Sequence, residues 1–270
     1  MSPSSLKAVF LGTGTSQGVP VIGCDCPVCR SADPRDYRLR TSLLVEWAGT
    51  KIAIDAGPDF RQQMLREGVH ELHAVLLTHE HNDHIIGLDD VRPFNFRQQK
   101  NMPIYGLPRV LDDVRARFAY VFEANPYPGA PRMKLFPIQA LVPFSVNELP
   151  ILPFSIWHGG MDILGFRFGP FTYITDMKTI SGESMKAIKG TEILVVNALH
   201  HTPHYSHLNL EEAIQFVEEV RPREAYFTHI SHHMGRYSDI ARQLPSGMFL
   251  AYDGLHLEIP ISSNLFTFAK

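Results

Sequence analysis

Short apolar runs rich in β-branched and aromatic residues recur along the chain, and several stop on a polar residue able to do chemistry. Residues 6–11, 42–47, 51–55, 74–78, 171–175, 193–197, 225–228 and 248–252 read as strands. Helical periodicity lies between some of them. Residues 60–67 place Phe60 and Met64 at i and i+4, and residues 110–122 align Val110, Val114 and Phe118 on one face. The clearest helix spans residues 210–220, with Asn209 as N-cap and Glu212 completing a capping-box start. Strands followed by helices, twice over, predict two sheets with helices outside, an α/β sandwich. No linker, low-complexity tract or short-period repeat interrupts the pattern, so residues 1–270 read as a single domain.

Residues 92–153 are the exception. They are rich in proline and aromatics (Pro93, Phe94, Phe96, Pro126, Tyr127, Pro128, Pro131) and carry weaker strand signals. The segment reads as a variable region, either a lid or wall over a pocket or a surface elaboration. Its Arg97, Arg132 and Lys134 are candidate phosphate contacts.

The densest chemistry follows the run 74–78: His79-Glu80-His81-Asn82-Asp83-His84, three imidazoles and a carboxylate within six residues. Imidazole and carboxylate suit zinc, manganese and iron, and alternate residues leaving a strand end converge on one point. His79 and His81 can hold one metal while Asp83 and His84 turn toward a second. Three later strands repeat the grammar, ending at His158, Asp176 and His229. Strand ends on one rim of a sandwich can direct such side chains into a common cleft.

Composition narrows the rest. A hydrophobic share of 44% supports a full core, and a net charge of −3 gives no general attraction to nucleic acid or to an anionic membrane. No run reaches the apolar length of a membrane span, and the first five residues lack a signal peptide's basic start and apolar core. A cytoplasmic location is the resulting expectation. The three cysteines fall together as Cys24, Cys26 and Cys29, an odd number that cannot all pair within one chain. Three thiolates need one further ligand for a structural zinc, and the segment 228–232, with His229 and His232, offers one.

The motif H-x-H-x-D-H followed by His, Asp and His at strand ends resembles the metallo-β-lactamase superfamily, from Leu11 to Asp253. The resemblance implies an αββα sandwich. It places one metal on His79, His81 and His158, a second on Asp83, His84 and His229, and Asp176 between them. Asp55, closing the run 51–55, matches the superfamily's aspartate that orients neighbours without binding metal. The N-terminal Gly12-Thr13-Gly14-Thr15-Ser16-Gln17-Gly18 and the Cys-x-Cys-x-x-Cys hook at residues 24–29 resemble the PhnP-like group, whose named member is a phosphoribosyl cyclic phosphodiesterase. That group closes its hook with a histidine, here His232. The glycine-rich stretch does not fit G-x-G-x-x-G and reads as backbone passing close to the cleft.

These features imply a binuclear metal-dependent phosphodiesterase acting on a small cyclic phosphate or nucleotide-type phosphodiester through a metal-bridging hydroxide. Its cofactors would be two catalytic divalent metals, zinc or manganese, and one structural zinc. The general acid is one of His200, His201, His204 and His207. His207 is favoured, because the run 207–213 resembles the family's acid-bearing segment just before a capped helix. A tRNA 3′-processing endonuclease and a PqqB-like cofactor-biosynthesis or binding protein are the alternatives, and thioester or lactone chemistry is compatible with the fold. The expected partner is a small phosphodiester, with no membrane and no stable nucleic-acid partner; a homodimer is the expected assembly.

Overall fold

The structure, a computed structural model, describes residues 5–261. The reading of the chain's start as lacking a signal peptide rests mainly on residues 1–4, which lie outside the described residues. The first half supplies strands β1 (Ser5–Gly12), β2 (Ser42–Trp47), β3 (Thr50–Ile54), β4 (Ala74–Leu76), β5 (Met102–Gly106) and β6 (Met133–Pro137). The second supplies β7 (Phe144–Val146), β8 (Leu149–His158), β9 (Met161–Phe168), β10 (Phe171–Tyr173), β11 (Thr179–Ile180), β12 (Ile193–Asn197), β13 (Glu224–Thr228), β14 (Met248–Leu250) and β15 (His256–Pro260).

They form two sheets. One runs β15-β1-β2-β3-β4-β5-β6; the other runs β11-β8-β9-β10-β12-β13-β14, with β7 beside β8. The sheets meet through one apolar cluster drawn from both, including Phe10, Leu43, Ile54 and Leu76 on one side and Leu164, Phe166, Tyr173 and Val195 on the other. Helices cover the outer faces. On the first sheet these are α1 (Phe60–Arg66), α2 (Asn82–Ile85), α3 (Arg92–Gln98) and α4 (Pro108–Arg117), and on the second α5 (Gly182–Ala187), α6 (Leu210–Val220) and α7 (Tyr237–Ile240). This is the αββα sandwich that the strand and helix pattern predicts. No helix among the described residues is long and apolar enough to cross a membrane.

Parallel pairing decides where the chemistry collects. β3, β4, β5 and β6 run parallel, as do β10, β12, β13 and β14. β8 is antiparallel to β9 and β9 to β10, so β8 ends at the same edge as β10, β12 and β13. The loops after β3, β4, β8, β10 and β13 therefore share one rim, where Leu164 N donates to Thr78 O at 3.1 Å across the two sheets. The α6 capping box forms as expected: Asn209 accepts from Glu212 N, and Glu212 from Asn209 N, at 2.8 and 2.9 Å.

Residues 92–153 differ from expectation. They are built mostly of regular elements, α3, β5, α4, β6 and β7, and extend the first sheet by two strands. Arg97, Arg132 and Lys134 sit toward the N-terminal ends of β5 and β6, at the opposite edge from the rim described above. Arg97 lines a cavity of about 470 Å³ with His70, His73 and Met102. Arg132 is tied to Asn95, and Lys134 lies over Phe136. None of the three faces the histidine cluster.

Candidate metal centre

Three strand ends reach the rim through a left-handed backbone. Asp55, Asp176 and His229 have φ of 63°, 59° and 56°. None is glycine, and this conformation costs an ordinary L-residue roughly 1 kcal/mol or more. Each such turn redirects a side chain that strand geometry would carry onward, and all three sit on buried groups.

Asp55 is fully buried and accepts three hydrogen bonds: from Thr78 N at 2.8 Å, from Thr78 Oγ1 at 2.8 Å, and from His84 Nδ1 at 2.7 Å. Because Thr78 Oγ1 donates its only proton to Asp55, it accepts from His79 Nδ1, 2.9 Å away. His79 and His84 thus both donate from Nδ1 and turn Nε2 toward the cleft. His158 reaches the same tautomer another way. Its Nδ1 lies 2.8 Å from Asp176 O and 3.0 Å from Ser206 O, and carbonyls can only accept. Such partners on the far nitrogen are what fix a metal-ligating imidazole.

The free atoms converge. His79 Nε2 lies 3.0 Å from His81 Nδ1, and His158 joins them within 4.8 Å. His84 Nε2 lies 3.3 Å from Asp83 Oδ2 and 3.5 Å from Asp176 Oδ2, while His229 Nε2 lies 3.0 Å from Asp176 Oδ1. Ligands about 2.1 Å from one cation stand about 3.0–3.5 Å from each other, so these spacings fit metal shells. The nitrogens His84 Nε2, His229 Nε2 and His207 Nδ1 are buried without a hydrogen-bond partner, close to acceptors yet not aligned with them. A cation satisfies such groups; a proton network here does not.

Electrostatics favour the same occupant. Burial opposes a charge on His84, but the carboxylates of Asp55, Asp176 and Asp83 overcome it and hold the imidazole well above its ordinary range. Burial likewise works against ionised Asp176, and His229 and His84 outweigh it, keeping that carboxyl well below its usual value. The same balance, dominated by His84, brings Asp83 down to about 2. Three carboxylates around one imidazole make a site that seeks positive charge.

The four histidines of the acid segment separate clearly. His207 is buried, with Nδ1 at 3.7 Å from Asp176 Oδ1 and its ring against His229 and His158. Burial and the neighbouring His229 push it down to about 2. His204 lies one ring further out, His200 bonds locally to Thr202, and the exposed His201 reaches Met234 O. Only His207 touches the cluster among these four.

At the hook, His232 Nδ1 stands 3.3, 3.5 and 3.5 Å from the sulfurs of Cys24, Cys26 and Cys29. A tetrahedral zinc with Zn–S of about 2.3 Å and Zn–N of about 2.1 Å would separate sulfur from nitrogen by about 3.5 Å. The Cys29 amide bonds to Cys26 Sγ and brings that thiol down to about 6, so the thiolate that zinc requires is partly prepared. The glycine-rich stretch passes close by, as expected. Ile230 N donates to Thr13 O at 2.9 Å and Thr15 N to Ile230 O at 3.2 Å, and a Cβ at Gly12 would lie 1.9 Å from Arg40 O.

Residues 50–230 match the family described as the beta-lactamase superfamily domain. The chain belongs to the metallo-β-lactamase superfamily. Its place there is PhnP-like: a crystal structure described as a new diphosphatase from the PhnP family is 38% identical, with a TM-score of 0.89 over 97% of this chain and 100% of that one. An octanoyltransferase of Porphyromonas gingivalis (strain ATCC BAA-308 / W83) is 43% identical over 93% of this chain, which spans only 51% of that protein's length. Zn(2+)-bound PqqB from Methylobacterium extorquens shares the fold, with a TM-score of 0.76 at 20% identity over 93% of this chain and 99% of that one.

Three contributing residues escaped the sequence reading. Thr78 couples Asp55 to His79, and its place between an apolar run and the first motif histidine was the available signal. Arg109 and Arg117 of α4 bind Glu80 and Asn82, the residues that alternate with the histidines, and Arg109 also reaches Asp162 O. Their only signal was helical spacing toward an unknown neighbour.

Replacing Asp55 by Asn should lower catalytic-metal affinity about 10–100-fold by freeing two imidazoles to rotate, as measured by calorimetric metal titration. Unchanged affinity would deny Asp55 its orienting role. His232→Ala should remove one zinc equivalent by elemental analysis and lower the melting temperature; retained stoichiometry would rule the hook out as a zinc site.

Proposed function

We propose that this chain is a binuclear metal-dependent phosphodiesterase acting on a small cyclic phosphate or nucleotide-type phosphodiester. The observation that carries the reading is Asp176, buried between two ligand-capable groups, with one carboxylate oxygen near His229 and the other near His84. His79, His81 and His158 would hold one cation, Asp83, His84 and His229 the other, and Asp176 both; the orphaned, cleft-facing nitrogens support that fit. Bound there, divalent cations would supply Lewis-acid stabilisation of phosphoryl oxygens and a water acidic enough to attack near neutral pH. Cys24, Cys26, Cys29 and His232 would hold a separate structural zinc.

The chain's own residues do the remaining work. Asp55 and Thr78 keep His79 and His84 in the tautomer that presents Nε2, and the Asp176 and Ser206 carbonyls do so for His158. His81, exposed at the edge of the cluster, marks the open side by which substrate enters. His207 is the proton donor for the departing alkoxide. Burial holds its imidazole low in the free protein, and an anionic phosphoryl group against the ring favours the charged form, so His207 takes up a proton from solvent as the substrate binds and passes it to the departing alkoxide. The similar diphosphatase of the PhnP family supports attack at phosphorus.

A second reading has its own observation. The relative that matches over 93% of this chain is an octanoyltransferase twice as long, which favours a hydrolase that serves acyl transfer. One experiment separates the two: metal-loaded protein is assayed on bis-p-nitrophenyl phosphate, an alkyl phosphodiester and an octanoyl thioester, with Asp83→Ala and His207→Ala alongside. The phosphodiesterase reading expects turnover of both phosphodiesters lost in Asp83→Ala. His207→Ala should slow the alkyl diester about 10²–10⁴-fold and the nitrophenyl diester far less. Equal losses on both diesters remove the acid role, and turnover confined to the thioester replaces the reading with the second.

A further inference from the structure

Four aromatic rings lead outward from the buried cluster. His207 stacks on His229 at 4.8 Å and 21°, His204 follows at 5.0 Å and 38°, and Tyr205 follows His204 at 4.9 Å and 34°. Exposure rises along the series, from 1% at His229 to 82% at Tyr205. His204 is tied locally, its Nδ1 accepting from Ser206 N at 3.3 Å, and the Tyr205 ring lies beside Gly159, directly after His158, where an added Cβ would stand 3.6 Å from it. Tyr205 is thus flanked by the segments carrying His158 and His207, both of which turn into the cluster.

We infer that Tyr205 is a stacking platform for the nucleobase of a nucleotide-type phosphoester whose phosphoryl group sits at the histidine cluster. The inference rests on the phosphoester reading above and names the substrate class for that site. A large aromatic ring set against His204 and otherwise open to solvent gains little in the free protein. It gains apolar contact and π-stacking when a planar group covers it. Two ring spacings separate Tyr205 from His207, a span suited to a ribose joining phosphate to base. Every base has a π-face, so this platform selects for the presence of a base rather than its identity. A substrate of ribose and phosphate alone would leave Tyr205 bare.

The test is calorimetric binding of AMP, UMP and ribose 5-phosphate to metal-loaded protein, with Tyr205→Ala and Tyr205→Trp alongside. Wild type should bind both nucleotides about ten-fold more tightly than ribose 5-phosphate. Tyr205→Ala should erase that preference and Tyr205→Trp should retain it. Equal affinities or no binding in wild type, or a preference that survives Tyr205→Ala, overturns the inference. Turnover of 2′,3′-cyclic AMP and of a ribose cyclic phosphate is measured on the same samples. A base preference in binding without turnover of either would leave the platform standing and sink the phosphodiesterase reading alone.

Discussion

The site depends on one buried carboxylate. Asp55 takes two hydrogen bonds from Thr78 and one from His84, and through them it orders residues on both sides of the H-x-H-x-D-H motif. A fully buried carboxylate is costly unless every lone pair it turns inward is answered. Here the answers come from the strand end that carries the motif, so satisfying Asp55 and aiming the histidines are one event. The left-handed φ at Asp55 is what brings its oxygens back to Thr78, and the strain is offset by that network. Asp176 and His229 repeat the device on the second sheet. The rim is therefore built from strained turns that the two packed sheets hold in place.

The same arrangement creates a demand that side chains alone do not meet. Asp55, Asp83 and Asp176 crowd a few imidazoles, and the balance keeps His84 protonated and leaves nitrogens of His229 and His207 without hydrogen bonds. A proton on His84 answers part of that demand. Divalent cations would compensate them at every convergent atom, and the approaches of 3.0–3.5 Å match the spacing of ligands around one cation. Stability and metal affinity are coupled in such a site, since a cation that binds only the folded arrangement stabilises it by mass action.

Much of this was legible in the residues because ligands close strands. Periodicity located β2 at its observed ends, placed α6 with its Asn209 cap, and set His79, His158 and His229 at or just past strand ends, which is where parallel pairing gathers them. The segment 92–153 was obscured for physical reasons. β6 is an edge strand with partly exposed positions, so its apolar alternation is weak, and β8 carries Pro150 and Pro153, which argue against a strand in sequence. β8 tolerates them because its early residues pair with β7 and its later ones with β9. Arg97, Arg132 and Lys134 looked like phosphate contacts because charge carries no direction in sequence. Strand direction put them at the far edge.

The hook and the histidine cluster are not independent. His229 turns into the cluster, Ile230 pairs on both sides with Thr13 and Thr15, and Ser231 leads to His232 among the cysteines. Four consecutive residues thus join a strand end, the glycine-rich stretch and the Cys3His group. Gly12 is required where this stretch meets Arg40, because any side chain would strike backbone. A zinc closing the hook would fix His232, and the Ile230 pairings would carry that constraint to the left-handed turn at His229. The two centres are three residues apart in a backbone paired along its length, so order at the structural site becomes alignment at the proposed catalytic one.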